Sequence, residues 1–126
     1  MKISYGKNVY GKKEIAAVNN TLKKSTQMGK SVNEFENKVS KFFSKKYGLM
    51  VNSGSSALTL AMNVLNIKKG DEIITPCLNF GTTVSSIVLS QATPIFVDIE
   101  LDTLQIDVKK IEERNSKNTK AILVPN

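Results

Sequence analysis

The sequence predicts an α/β protein, a mostly parallel sheet covered by helices in α/β/α layers. Short apolar runs of three to five residues alternate with segments of helical periodicity, the pattern of parallel strands joined by helical crossovers. Each run closes on a residue that ends strands or opens turns: Asn52, Pro76, Asp98 and Pro125. The chain has 126 residues, 40% of them apolar, which suits one domain or one piece of a larger one. A chain of this length buries roughly 60–70% of its unfolded surface, so a true core is expected and disorder is not.

The elements follow in order. From Tyr10 to Ser25, Ile15, Val18 and Leu22 stand at spacings of three and four, as one stripe of an amphipathic helix does. Ser31 and Glu34 have the S-x-x-E relation of a capping box, which opens a second helix. Val32, Phe35, Val39 and Phe42 recur on one face of it and are expected to be core. Leu49, Met50 and Val51 read as a first strand that turns at Asn52-Ser53-Gly54 into a helix from Ala57 to Leu65. Gly70 and Asp71 turn the chain into a second strand, Glu72-Ile73-Ile74-Thr75, which Pro76 stops because proline lacks a ladder donor. Thr82 to Leu89 can form a helix, and Pro94-Ile95-Phe96-Val97 a third strand. Asp107 can cap a short helix running to Arg114, before a fourth strand, Lys120 to Val124. No covering element follows that strand, so the chain reads as cut mid-domain.

Composition removes much chemistry. There is no histidine and a single cysteine, Cys77, so disulfide frameworks, Cys/His zinc sites and Ser-His or Cys-His nucleophile pairs are excluded within the chain. Cys77 has nothing obvious beside it to lower its pKa and is taken as a small, semi-buried residue. No run approaches the ~18 apolar residues of a membrane span, and the opening lacks a signal-peptide core, so a cytoplasmic protein without a membrane partner is expected. The net charge of +7, from 18 basic and 11 acidic side chains, invites a nucleic-acid reading. The lysines fall in separated pairs and there is one arginine, Arg114, which favours a solvated face and no nucleic-acid partner. A non-catalytic basic binding module is the alternative from another class, and it predicts salt-steep retention on DNA or RNA.

Ligands of open α/β sheets collect beyond the carboxyl ends of the strands. Three loops stand there. Asn52-Ser53-Gly54-Ser55-Ser56 joins an apolar run to a helix, and its glycine and small hydroxylated residues let backbone amides approach a phosphate; a plain serine-rich helix cap is the other reading. In the loop from Pro76 to Thr83, Phe80 can stack on a planar ligand or pack in the core. The third loop opens at Asp98, where turn and cap roles are commoner than functional ones.

Four runs, Val51-Asn52-Ser53-Gly54-Ser55-Ser56-Ala57-Leu58, Gly70-Asp71-Glu72-Ile73-Ile74-Thr75-Pro76, Pro94-Ile95-Phe96-Val97-Asp98-Ile99 and Thr119-Lys120-Ala121-Ile122, resemble in order and spacing the DegT/StrS family of pyridoxal-phosphate-dependent sugar aminotransferases. The resemblance implies the N-terminal part of the large domain of a fold type I, aspartate aminotransferase-like transferase. Residues 1–126 would be the N-terminal helices plus the first part of that cofactor-binding domain, with its remainder and the small C-terminal domain absent. It also implies that Gly54, Ser55 and Ser56 hold the phosphate of pyridoxal phosphate, or of its pyridoxamine form, and that Phe80 stacks on the pyridine ring.

In such proteins the carboxylate for the ring nitrogen and the Schiff-base lysine lie further along. No catalytic residue and no metal ligand is therefore expected here, and the 126-residue piece alone is expected to be inactive. The implied partners are a nucleotide-linked keto-sugar, an amino donor such as glutamate, and a second copy of the enzyme in a homodimer. The implied process is cell-surface polysaccharide or deoxyamino-sugar biosynthesis. Thr26-Gln27-Met28-Gly29, Gly81-Thr82-Thr83 and the run Asp102 to Asp107 are similar also to a branch that removes the sugar 3-hydroxyl, and Asn126 stands where aminotransferases of the family often carry histidine.

Overall fold

The computed structural model describes residues 6–24, 26, 27 and 29–125. The readings placed on Ser25, Met28 and Asn126 lie outside the described residues. The chain divides into two compact units, Met1–Met50 and Val51–Asn126.

The first unit carries α1 (Lys12–Lys24) and α2 (Lys30–Phe42). α1 forms where the stripe predicts it. Its charges suit the helix dipole, with Glu14 in the first turn and Lys23 and Lys24 in the last. Glu14 also reaches back to accept the Gly11 N–H at 2.6 Å, and this bond holds its carboxyl below the usual range. The capping box does not form. Gly29 is the N-cap of α2, so Ser31 sits inside the first turn, two residues too late to cap it. The stripe on α2 is also not core. Phe35, Val39 and Phe42 are 53%, 37% and 83% exposed, and the buried residue of the helix is Ser40. What packs on α2 is backbone: Met50 N–H donates to Glu36 Oε1 at 2.7 Å, and a Cβ on Gly48 would lie 2.8 Å from the Glu36 carbonyl oxygen. Glycine is required there by close approach.

The second unit is a three-layer α/β/α fragment. Its sheet holds β1 (Glu72–Pro76), β2 (Thr93–Val97) and β3 (Thr119–Ile122) in the order β2-β1-β3, with both pairings parallel. The predicted strand at Leu49, Met50 and Val51 is absent. An apolar run becomes a strand only beside a partner, and residues 49–51 pair with none of the three strands. Pro76 ends β1 as expected, and Pro94 is tolerated because β2 is an edge strand.

Successive residues of β1 point to opposite faces, which gives the unit two cores. Ile73 packs with Met62 of α3 (Gly54–Val64), Ile87 of α4 (Gly81–Leu89) and Ala92. Ile74 packs with Val97 and Ile106 on the other side, against Ile111 of α5 (Ile111–Arg114). Asp107 caps the 3₁₀ turn Val108–Lys110 before α5 by accepting the Lys109 N–H at 3.0 Å.

Three helices end alike. Lys45, Ile67 and Ala92 donate their N–H groups back five residues to Ser40, Met62 and Ile87, while Ser44, Asn66 and Gln91 donate back three. This is the Schellman closure, and those last three residues carry φ of 53°, 53° and 62° without being glycine. Among the described residues no helix is long and apolar enough to cross a membrane.

Candidate functional site

Parallel pairing puts the carboxyl ends of the strands on one side of the sheet, where the loop after β1 opens into α4. The first turn of α3 faces that loop across a depression of about 650 Å³ lined by Gly54, Ser55, Phe80, Thr82 and Thr83, with Ala57, Leu58 and Ala61 as its apolar wall.

Ser53 is the N-cap of α3, in extended conformation, and its hydroxyl accepts the Ser56 N–H at 3.1 Å while donating to Ser56 Oγ at 3.0 Å. One of the four orphan amides of the helix start is thereby used. The N–H groups of Gly54 and Ser55 have no acceptor among the described residues and stand at the positive end of the helix dipole. Three of the four sequence-predicted cofactor residues, Gly54, Ser55 and Phe80, thus share one depression. Ser56 lines the adjoining one with Val51, Ser55, Thr59, Leu60 and Asn63.

Phe80 is 68% exposed. Its backbone is fixed at both ends, since the Phe80 N–H donates to Asn79 Oδ1 at 2.7 Å and its carbonyl accepts the Thr83 N–H at 2.9 Å. Asn79 Nδ2 in turn donates to the hydroxyl of Thr75, fully buried in β1, at 2.8 Å. Sequence reasoning missed Asn79 and Thr75; the available signal was an amide side chain placed immediately before the loop aromatic.

The other loop residues have structural roles. Asp98 accepts the Ile99 N–H at 2.9 Å and pairs with Lys110 at 3.5 Å; the backbone bond first, and the lysine second, hold its carboxyl below the ordinary 3.8. Cys77 is exposed, not semi-buried, because it stands just past the strand end, with its N–H donated to the Val97 carbonyl. A second hollow of similar size in the first unit, about 660 Å³, is lined by Asn20, Thr21, Lys24, Lys30 and Glu34 among others, and brings no aromatic face.

The model of the DegT/DnrJ/EryC1/StrS aminotransferase family matches residues 8–126. This chain belongs to that family. It is 38% identical over 122 residues to the spore coat polysaccharide biosynthesis protein SpsC of Bacillus subtilis (strain 168), covering 96% of this chain and 31% of that protein. It is also 38% identical over 120 residues to the GDP-4-keto-6-deoxy-D-mannose 3-dehydratase of Escherichia coli O55:H7, covering 90% and 31%. Among solved structures, a Streptococcus pneumoniae protein assigned as a candidate sugar aminotransferase, in its PLP form, superposes with a TM-score of 0.86 at 30% identity, over 98% of this chain and 32% of that one. The fold is that of the PLP-dependent sugar aminotransferases, and the chain spans about a third of the length of these family relatives.

Proposed function

We propose that this chain is the N-terminal part of a cytoplasmic, pyridoxal-phosphate-dependent enzyme that transfers an amino group to a keto-sugar nucleotide, serving cell-surface polysaccharide or deoxyamino-sugar biosynthesis. The carrying observation is that the free-amide turn of α3 and the exposed Phe80 ring line one depression in a chain of this family. The residues fit the cofactor. A volume of about 650 Å³ lies within the roughly 300–1,000 Å³ usual for small-molecule sites, and it joins an anion-binding end to an apolar wall and an aromatic face.

Each group has a task in this reading. The Gly54 and Ser55 amides bind the phosphate at the N-terminus of α3, and Ser56 Oγ, which accepts from Ser53, keeps its own proton to donate. Phe80 orients the ring by stacking. Bound there, pyridoxal phosphate supplies the electron sink that amino transfer needs. The residues that handle protons belong to the remainder of the enzyme; residues 1–126 correspond to its N-terminal helices and the first part of its large domain, and no catalytic role is assigned to them. Glutamate as amino donor and a homodimer complete the proposal.

A second reading is a nucleotide-sugar 3-dehydratase, since the chain is 38% identical to such an enzyme as well as to the polysaccharide-biosynthesis relative. The complete gene product, given pyridoxal phosphate, glutamate and GDP-4-keto-6-deoxy-D-mannose, separates the two by product mass, an amino sugar for transfer and a 3-deoxy sugar for dehydration. Cofactor binding is tested first by absorbance titration. Phe80→Ala is expected to weaken retention of pyridoxal phosphate about 2- to 12-fold, the range of an aromatic stacking contact. Absence of any spectral change when the cofactor is added to the wild-type protein would sink the proposal.

A further inference from the structure

We propose that Asn79 is a positioning residue, holding the Phe80 ring over the cofactor site by tying the turn after β1 to the buried Thr75 hydroxyl, which in turn holds the residue just beyond β3. The inference rests on the stacking role given to Phe80 above. The side chain of a residue that is 68% exposed has little packing to hold it, so its direction is set by its own backbone. Both backbone groups of Phe80 are engaged, the carbonyl by the Thr83 N–H and the N–H by Asn79 Oδ1. The Cα–Cβ direction follows from those two bonds.

The Asn79 side chain is itself anchored. Thr75 is fully buried, and its hydroxyl donates its one proton to the Leu123 carbonyl at 2.9 Å, which leaves the oxygen to accept from Asn79 Nδ2. The Asn79 amide and the Thr75 hydroxyl together therefore join three segments: the turn carrying Phe80, β1, and the residue just beyond β3. The link needs a donor and an acceptor at the same end of a short side chain. Asparagine has both, aspartate keeps only the acceptor, and alanine keeps neither.

The test uses the complete gene product with pyridoxal phosphate as the probe. Asn79→Ala, Phe80→Ala and the double variant are compared by cofactor titration and by the induced circular dichroism per bound cofactor. That signal reads the geometry around the ring and does not move with stability alone. Asn79→Ala is expected to raise Kd about 2- to 12-fold and to reduce the induced signal, because a loosened ring forfeits stacking. The double variant is expected to bind no more weakly than Phe80→Ala, as for residues acting through one contact. If Asn79→Ala does not fold, Asn79→Asp carries the test, with a smaller expected loss of induced signal, because aspartate keeps the acceptor for the Phe80 N–H and loses only the donor to Thr75. Unchanged affinity and signal in the Asn79 variants, or an Asn79 effect that persists in full in the Phe80→Ala background, overturns the proposal. Unchanged binding in Phe80→Ala instead removes the stacking role on which it rests.

Discussion

Ser53→Ala is the substitution that most directly tests how the turn before α3 is built. The Ser53 side chain is exposed and does one structural thing, exchanging hydrogen bonds with Ser56, so its truncation removes a cap and almost no packing. Loss of such a cap costs about 1 kcal/mol, within a range of roughly 0.5–2, whereas glycine at the same position costs only a few tenths. In a domain of about 150–250 residues, 1 kcal/mol lowers the melting temperature by about 2–4 °C. Scanning calorimetry of the cofactor-free complete gene product is therefore expected to rank wild type, Ser53→Gly and Ser53→Ala in falling order. The penalty should shrink when pyridoxal phosphate is saturating, since the Ser56 N–H released by the substitution then faces an anion. Equal losses for the alanine and glycine variants, or none for alanine, would refute the capping account.

Other outcomes follow from the packing and the charges. Ile73→Ala removes a fully buried side chain from between Met62 and Ile87 and is expected to cost about 2–5 kcal/mol, against less than about 0.5 for an exposed position such as Lys117→Ala, both read from thermal or urea unfolding. Gln91→Gly relieves a left-handed residue at the end of α4. It should change stability by less than about 1 kcal/mol in the favourable direction, measured by the same unfolding curves, because the greater freedom of glycine in the unfolded chain offsets part of the relief. Asp98 has a folded-state pKa below its unfolded value, so its contribution is present above about pH 4 and is lost as pH falls through the lower folded value. Asp98→Asn should flatten the acid limb of a plot of melting temperature against pH, and added salt should reduce the difference between the two proteins.

Much of the second unit was readable in the sequence because its signals are local. The apolar runs at 72–75, 94–97 and 120–124, the last of which stops as a strand at Ile122, the turn at Gly70 and the Asp107 cap each carry their cause within a few residues. The failures arise where the cause is remote or where two local solutions compete. Ser31 and Glu34 match a capping motif, yet the helix is capped two residues earlier, at Gly29, and the motif has no information about that choice. The periodicity of α2 shows which face is apolar but not what covers it, and Phe35 and Phe42 remain exposed. Residues 49–51 have strand composition without a ladder partner. At the site, glycine, small hydroxyl groups and an aromatic could be picked out from residue type alone. The bond from Asn79 to Thr75, and from Thr75 onward to Leu123, exists only once β3 lies beside β1.

The strand order also sets a timetable for synthesis on the ribosome. Glu72 meets Thr93, 21 positions on, but its other neighbour, Thr119, is 47 positions on. Translation at roughly 5–20 residues per second leaves about 1–5 s in which the first two strands and the helix between them have emerged without the third. During that interval the Thr75 hydroxyl has no Leu123 carbonyl to serve, so the seat beneath the aromatic turn is among the last parts of the nascent unit to set.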